Sequence, residues 1–395
     1  MDLELTQFDI KTAFLYAKLK ETIYMKQPEG FVVEGKEDHV CQLLKSLYGL
    51  KQAPFEWNEE FNEFILAFGL MRSEADPCIY GDEIKTVIIY VADGLIASNK
   101  PETIKAMIEH LERKFEIRTL TPTRFVGLNI VRDRPNRLMY IDQENTIDKM
   151  LKDYNMWDCK PSSLPADPNA RLSAWSKPKS EEEKEGKDEL EEHTEEEEKE
   201  MEKIPYREAV GSLIYLATTS RPDISFAVGQ VSRYCAKYTR THWNAVKRIF
   251  AYLKGTKNLK LCYGGTELPP AVVYCDADYA GDLDDRRSTS GYIFFYNGGP
   301  VCWVSRKQSI TAQSTGESEY LSANETTKES AWFCQVVLDI TGINIMPLMI
   351  KCDNDAAIAA AQRPHGQGRM KHIPIKMNLV REHIRTGKIK MEYVA

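Results

Sequence analysis

Thr86-Val-Ile-Ile-Tyr-Val-Ala-Asp-Gly-Leu-Ile-Ala97 places two apolar, β-rich arms around a short polar step. Such arms favour strands, and an Asp-Gly step between them signals a tight hairpin. Asp93 then stands at the hairpin tip. Upstream, Leu3 to Ile10 reads as a short strand carrying Asp9 near its end. Aspartates on a strand end and on a facing hairpin offer hard oxygen ligands, which suit Mg2+. Two clamped divalent ions stabilise the attacking and leaving oxygens of phosphoryl transfer. Taken alone, the same two residues are equally an N-cap and a turn aspartate.

Working outward, Ile104, Met107, Ile108, Leu111 and Phe115 fall at helical spacing, with Lys105, Glu109 and Arg113 outside the stripe. Val246, Ile249, Phe250 and Leu253 make a second stripe, which Gly255 is expected to close. Beyond Pro270 three strands are expected at Val272–Cys275, Gly291–Tyr296 and Val301–Val304. A long helix from about Ser318 to Leu338 and a strand at Met349–Cys352 follow. Helices at Asp355–Gln362 and Met377–Arg385 lead to a last strand through Ile389, Met391 and Tyr393. Asp276 and Asp278 share one face of the first of these strands. Glu317 and Glu319 open the long helix, and Asp353 ends the fourth strand. Strand, helix and strand each supply a carboxylate that could converge for two-metal hydrolysis. Asp282, Asp284 and Asp285 read as a solvated loop.

Charge divides the chain. Between Lys179 and Lys203 lie fourteen acidic and five basic residues, so the net charge of -7 belongs to this run and the remainder is close to neutral. With Thr194 as its single β-branched residue, the run reads as a solvated linker. Arg233, Lys237, Arg240, Lys247, Arg248, Lys254, Lys257 and Lys260 interleave with Tyr234, Tyr238, Trp243, Phe250 and Tyr252. That pattern is either a phosphate track or the solvated side of an amphipathic helix pair. No apolar run reaches the roughly 20 residues of a membrane span. The start has neither a basic nor an apolar signal region. Nine cysteines without a CxxC pair point to reduced thiols, hence a cytoplasmic or nuclear setting, and against zinc.

Longer strings resolve the ambiguity of the aspartates. Gln7-Phe-Asp-Ile-Lys-Thr-Ala-Phe-Leu15, Ile23-Tyr-Met-Lys-Gln-Pro-Glu-Gly-Phe31, Lys45-Ser-Leu-Tyr-Gly-Leu-Lys-Gln-Ala-Pro54 with Trp57, and Tyr90-Val-Ala-Asp93 resemble the motifs of copia-type reverse transcriptases. Cys275-Asp-Ala-Asp-Tyr-Ala-Gly-Asp282, Arg287-Ser-Thr-Ser-Gly-Tyr292, Ser318-Glu-Tyr320 and Cys352-Asp-Asn354 resemble the RNase H strings of the same family. Ile204-Pro-Tyr-Arg-Glu-Ala-Val-Gly-Ser-Leu213 and Ser220-Arg-Pro-Asp-Ile224 resemble its connection. The resemblance covers nearly all of the chain outside the acidic run.

The resemblance implies an α+β polymerase palm remnant followed by a helical connection and an RNase H-like α/β domain. The implied boundaries are 1–160 for the palm, 161–204 for the acidic linker, 205–268 for the connection and 269–395 for the RNase H-like domain. It implies RNA-directed DNA synthesis and RNase H chemistry with Mg2+ or Mn2+, acting on an RNA template, an RNA–DNA hybrid and a dNTP. Asp9 and Asp93 become metal ligands of the first site. Phe14 packs under the incoming sugar, and Tyr48, Gly49, Lys51, Gln52 and Tyr90 line the nucleotide and template side. Ala92 stands where the family has its first hairpin aspartate, so one ligand is lost and the polymerase chemistry is expected to be broken. The fingers that precede the first motif in the family are expected to be missing before Met1. Asp276, Glu319 and Asp353 become the metal ligands of the second site, with a fourth family aspartate expected beyond Ala395. Lys371-His372-Ile373 matches a further family string, with Pro374 in place of an acidic residue. The alternative is a non-catalytic nucleic-acid-binding or interaction protein descended from the same element.

Overall fold

The computed structural model describes residues 2–82, 84–168, 172–173, 200–265, 271–362 and 374–395, with side chains at 374–377 left aside. Most of the acidic run, His372 and the side chain of Pro374 therefore lie outside the described residues. The chain divides into two compact units, Met1–Val126 with Trp332–Asn344, and Gly127–Ala331 with Ile345–Ala395.

In the first unit the chain runs through β1 (Glu4–Ile10), β2 (Lys18–Lys26), β3 (Val40–Lys45), α1 (Ala53–Ala67), β4 (Met71–Arg72), β5 (Ile79–Gly81), β6 (Lys85–Tyr90) and β7 (Asp93–Ser98). It continues through α2 (Pro101–Glu112), β8 (Ile117–Leu120) and β9 (Arg124–Phe125). A six-stranded sheet has the order β4-β5-β6-β7-β1-β8, while β2 and β3 form their own ribbon. Period-two alternation sends Phe8, Ile10, Val87, Ile89 and Ile96 to one face. There they meet Trp57, Phe61 and Ile65 of α1 and Ile104, Met107 and Leu111 of α2 in one buried core. The helical stripe read from the sequence is the stripe that buries.

The hairpin forms as expected, but its turn is displaced. Tyr90 pairs with Asp93, so Val91 and Ala92 are the two turn residues and Asp93-Gly94 already belongs to β7. Val91 carries the positive φ, 57°. The glycine answers a different need. Gly94 lies opposite Phe8 in the sheet, and a Cβ there would come within 2.0 Å of the Phe8 ring. The Asp-Gly step thus marks a close approach of ring to backbone.

The second unit contains β10 (Leu128–Asp133), β11 (Leu138–Asp142), α3 (Glu144–Asp153), α4 (Tyr206–Thr219), α5 (Ser225–Ser232), α6 (Arg240–Thr256) and β12 (Leu261–Gly264). Strands β10, β11 and β12 pair antiparallel. Ile147, Met150 and Leu151 of α3 share a buried core with Leu213 and Leu216 of α4, Val228 of α5, and Val246, Ile249, Phe250 and Leu253 of α6. Residues 127–160, grouped by sequence with the first domain, thus make their core with the helices that follow the acidic run. Gly255 does not end its helix: it lies inside α6, where a Cβ would press on Pro161 at 3.1 Å.

The remaining elements are β13 (Ala271–Asp278), β14 (Thr289–Tyr296), β15 (Gly299–Lys307), α7 (Thr315–Thr341), β16 (Leu348–Cys352), α8 (Asp355–Gln362), α9 (Pro374–Arg385) and β17 (Ile389–Tyr393). Their sheet has the order β15-β14-β13-β16-β17. The first three strands meander antiparallel, whereas β13–β16 and β16–β17 are parallel. Parallel neighbours need crossovers, and helices supply them between β13 and β16 and between β16 and β17. All the strands and helices expected beyond Pro270 are present, each within a few residues of its expected limits.

Candidate functional site

Two carboxylate sites stand on different units, and they differ in completeness. In the first unit Asp9 of β1 and Asp93 of β7 are direct cross-strand partners. The Ile10 amide donates to the Ala92 carbonyl at 2.8 Å, closing the strand onto the turn. Trp57 Nε1 donates to the Val91 carbonyl at 2.7 Å, so α1 holds the same turn from the core side. Burial and the neighbouring Asp9 carboxylate raise the Asp93 carboxyl above its ordinary range, opposed by a hydrogen bond from Gln7. Two carboxylates side by side repel until a cation or proton intervenes. The turn position that would bring a third carboxylate is Ala92, whose methyl packs against the core and offers no ligand.

The neighbouring motif residues take these positions. Phe14 sits in a short 3-10 turn, and its ring meets Tyr48 at 4.8 Å between centroids. Tyr48 and Tyr90 are largely exposed, as is Lys51. Gly49 has φ of +99°, a conformation that favours glycine. Gln52 precedes α1 and donates through Nε2 to Glu21 Oε2 at 2.9 Å.

In the second unit, the parallel register pairs Val273 with Ile350 and Tyr274 with Lys351. Asp276 and Asp353 each lie two residues past that last pair, so they emerge at the same end of adjacent strands. From α7, Glu319 reaches this end, and its Oε1 accepts a hydrogen bond from the Ala277 amide at 3.2 Å. Glu319 is 6% exposed, and its Oε2 is buried without a hydrogen-bond partner. Burial, then the charges of Asp276, Cys352 and Asp353, push the Glu319 carboxyl up to about 8. Glu319, Cys352 and Asp353 bring one possible ligand atom each within 4.8 Å of one another. A buried carboxylate oxygen without a hydrogen-bond partner, beside the Asp353 carboxylate and within the field of Asp276, is a donor a divalent cation can satisfy; Asp276 itself stands outside the close group of Glu319, Cys352 and Asp353.

Two features escaped sequence reasoning, and a third admits two readings from sequence alone. Asp282 is no solvated loop residue: it is 4% exposed and forms ion pairs with Arg233 and Lys307. Burial raises its carboxyl, but the Lys307 hydrogen bond, the Asp285 and Asp284 amides and the Arg233 charge outweigh that and bring it to about 2. The basic–aromatic stretch is mostly architecture. Arg240 pairs with Glu200, Arg248 with Asp167, Lys257 with Asp148 and Lys260 with Asp142, and Phe250 is fully buried. Cys352 stands among the carboxylates, which its apolar strand setting gave no reason to expect.

Among the described residues, no helix is long and apolar enough to cross a membrane. A reverse transcriptase (RNA-dependent DNA polymerase) family matches residues 2–168. The retrovirus-related Pol polyprotein from transposon TNT 1-94 of Nicotiana tabacum is 38% identical over 99% of this chain and 29% of its own length. The corresponding polyprotein from transposon RE1 of Arabidopsis thaliana is 34% identical over 98% of this chain and 25% of its own. A putative transposon Ty5-1 protein of Saccharomyces cerevisiae is 32% identical over 81% of this chain and 99% of its own length. A solved RNase H1 isolated from compost covers 32% of this chain and 85% of its own at 13% identity, with a TM-score of 0.24. This chain spans less than a third of the Pol polyproteins from TNT 1-94 and RE1. It belongs to the family of copia-type retrotransposon Pol polyproteins with a reverse transcriptase region.

Proposed function

We propose that this chain is a Pol segment whose first unit is a polymerase palm without working polymerase chemistry, and whose second unit keeps an RNase H-type hydrolytic site. Within the second unit, the helices α3 to α6 would be the connection that leads to the RNase H-like sheet. The observation that supports this reading is the cluster of Glu319 and Asp353 with Cys352, at the strand ends where Asp276 also emerges, set against the single facing pair Asp9 and Asp93 beside Ala92. The substrate would be the RNA strand of an RNA–DNA hybrid.

Glu319 Oε2, Asp276 and Asp353 would hold Mg2+ or Mn2+. When bound, such a cation polarises a phosphodiester and stabilises the charge that develops on it. The residues contribute orientation. The Ala277 amide fixes one oxygen of Glu319 and leaves the other without a hydrogen bond, so that it is the one that would face a cation. Raised to about 8, the Glu319 carboxyl would hold a proton near neutrality, and cation binding would require its release. In the first unit Asp9 and Asp93 would be residual ligands, with Phe14, Tyr48, Gly49, Lys51, Gln52 and Tyr90 forming a nucleotide-side wall. Without a carboxylate at position 92, an electrostatic partner of the transition state is gone, a loss on the order of 10² to 10³ in rate.

The test is Mn2+-supported cleavage of a labelled RNA–DNA hybrid. Glu319→Gln and Asp276→Asn should each lower cleavage by on the order of 10²-fold or more. Salt-sensitive hybrid binding with no cleavage in the unsubstituted chain would replace this reading with the non-catalytic alternative.

A further inference from the structure

Cys352 and Cys275 occupy neighbouring positions on the parallel strands β16 and β13, one step past the Tyr274–Lys351 pair. Both are buried, at 0% and 5% exposure, and their side chains are hydrogen-bonded to each other. Cys352 Sγ also lies within 4.8 Å of ligand oxygens of Glu319 and Asp353. Glu319 Oε2 is the buried, unpartnered atom of the group. Hard cations use the oxygens and ignore sulfur. Zn2+ and Cd2+ accept thiolate and carboxylate together, in tetrahedral sets that oxygen-only sites do not match in affinity.

We propose that Cys352, supported by Cys275, turns the carboxylate cluster of Glu319 and Asp353 into a mixed sulfur–oxygen site for thiophilic divalent cations, Zn2+ and Cd2+. The proposal rests on the reading that Glu319 and Asp353 face a cation, and it adds a second class of ion to that site. In the binding step the Cys352 S–H bond breaks, its proton passes to solvent, and the sulfur electron pair forms the bond to the cation. No electron is transferred, since both ions keep filled d shells. Cys275, beside Cys352 on the neighbouring strand and also buried, places a second sulfur next to the site. Zn2+ held this way competes with Mg2+ or Mn2+ and blocks hydrolysis.

The experiment uses the full, reduced chain. Cd2+ is added and the ultraviolet sulfur-to-cadmium charge-transfer band is followed, with Mn2+ binding measured in parallel by electron paramagnetic resonance. Cys352→Ser should remove the band developed by the first equivalent and weaken Cd2+ binding at least ~10-fold, with Mn2+ affinity within ~2-fold of the unsubstituted chain. Equal bands and equal Cd2+ affinity in the two proteins overturn the proposal. X-ray absorption of the unsubstituted chain with one equivalent of Zn2+ serves if Cys352→Ser does not fold. A sulfur shell at about 2.3 Å that disappears in Glu319→Gln supports the site; one that persists unchanged there assigns the ion to other cysteines and overturns it. Failure of the carboxylate reading has a separate signature, since Glu319→Gln would then leave Mn2+ binding unchanged.

Discussion

Gly94 and Phe8 show how one backbone atom can fix a register. Because the ring of Phe8 lies where a Cβ at position 94 would be, β1 and β7 can pair closely only with glycine there. Gly94→Ala should destabilise the first unit by about 2–3 kcal/mol, the usual range for overpacking a core. A matched Phe8→Leu change should recover part of that loss in a double-mutant cycle followed by urea unfolding. Additive losses would mean that the two sites do not interact. At Asp282 the physics is electrostatic. Its carboxyl is depressed to about 2 in the fold from an ordinary 3.8, so its ion pairs stabilise the fold above pH 3.8 and release that stability as pH falls through 2. Asp282→Asn leaves Arg233 and Lys307 without their buried partner and should cost about 3 kcal/mol at pH 7, with a smaller effect near pH 2. Thermal melts of the two proteins at both pH values check the sign.

Elements explain why the two carboxylate groups differ in the number of acids they can gather. The proposed hydrolytic site draws on the ends of two parallel strands and a helix, so three separate backbone segments can each carry an acid. In the palm-like unit the two acids sit on one antiparallel pair, and the third position is the turn itself. Ala92→Asp therefore restores a ligand without moving any element. It should add one Mn2+ per chain, counted by paramagnetic resonance, and an unchanged count would show that the pair and turn do not form a cation site. Glu319 sets a pH dependence of its own. Its folded carboxyl titrates near 8, far above the ordinary 4.5, so the ionised form is disfavoured in the fold. Stability is full below pH 4.5 and declines as pH rises through 8. In chelator, the melting temperature should drop by several degrees between pH 5 and 8.5, and Glu319→Gln should flatten that decline.

At the scale of the whole molecule, much was legible because local rules and tertiary packing agree. Alternation in β1, β6 and β7, the stripe of α2 and the succession of elements beyond Pro270 each bury the face that their periodicity marks. What stayed hidden depends on contacts far apart in sequence. Asp282 looked like a loop acid because Arg233 lies 49 residues away, and Lys307 is a further remote partner. Trp57 is one aromatic among many until its indole N–H reaches the Val91 carbonyl 34 residues on. Cys352 alternates as a core residue, and only the arrival of α7 sets its sulfur beside two acids. The basic residues of α6 and of the turn after it kept two readings open; Arg240, Arg248, Lys257 and Lys260 pair with acids within the chain, and Lys254 donates to the Cys159 carbonyl.

One substrate can interrogate both sites together: an RNA template carrying a recessed DNA primer with a stretch of completed hybrid, supplied with dNTPs and Mn2+. Cuts in the RNA strand that vanish in Glu319→Gln are expected, with a DNA primer that keeps its length. Processive extension of that primer, or RNA cleavage indifferent to Glu319→Gln, would contradict that expectation.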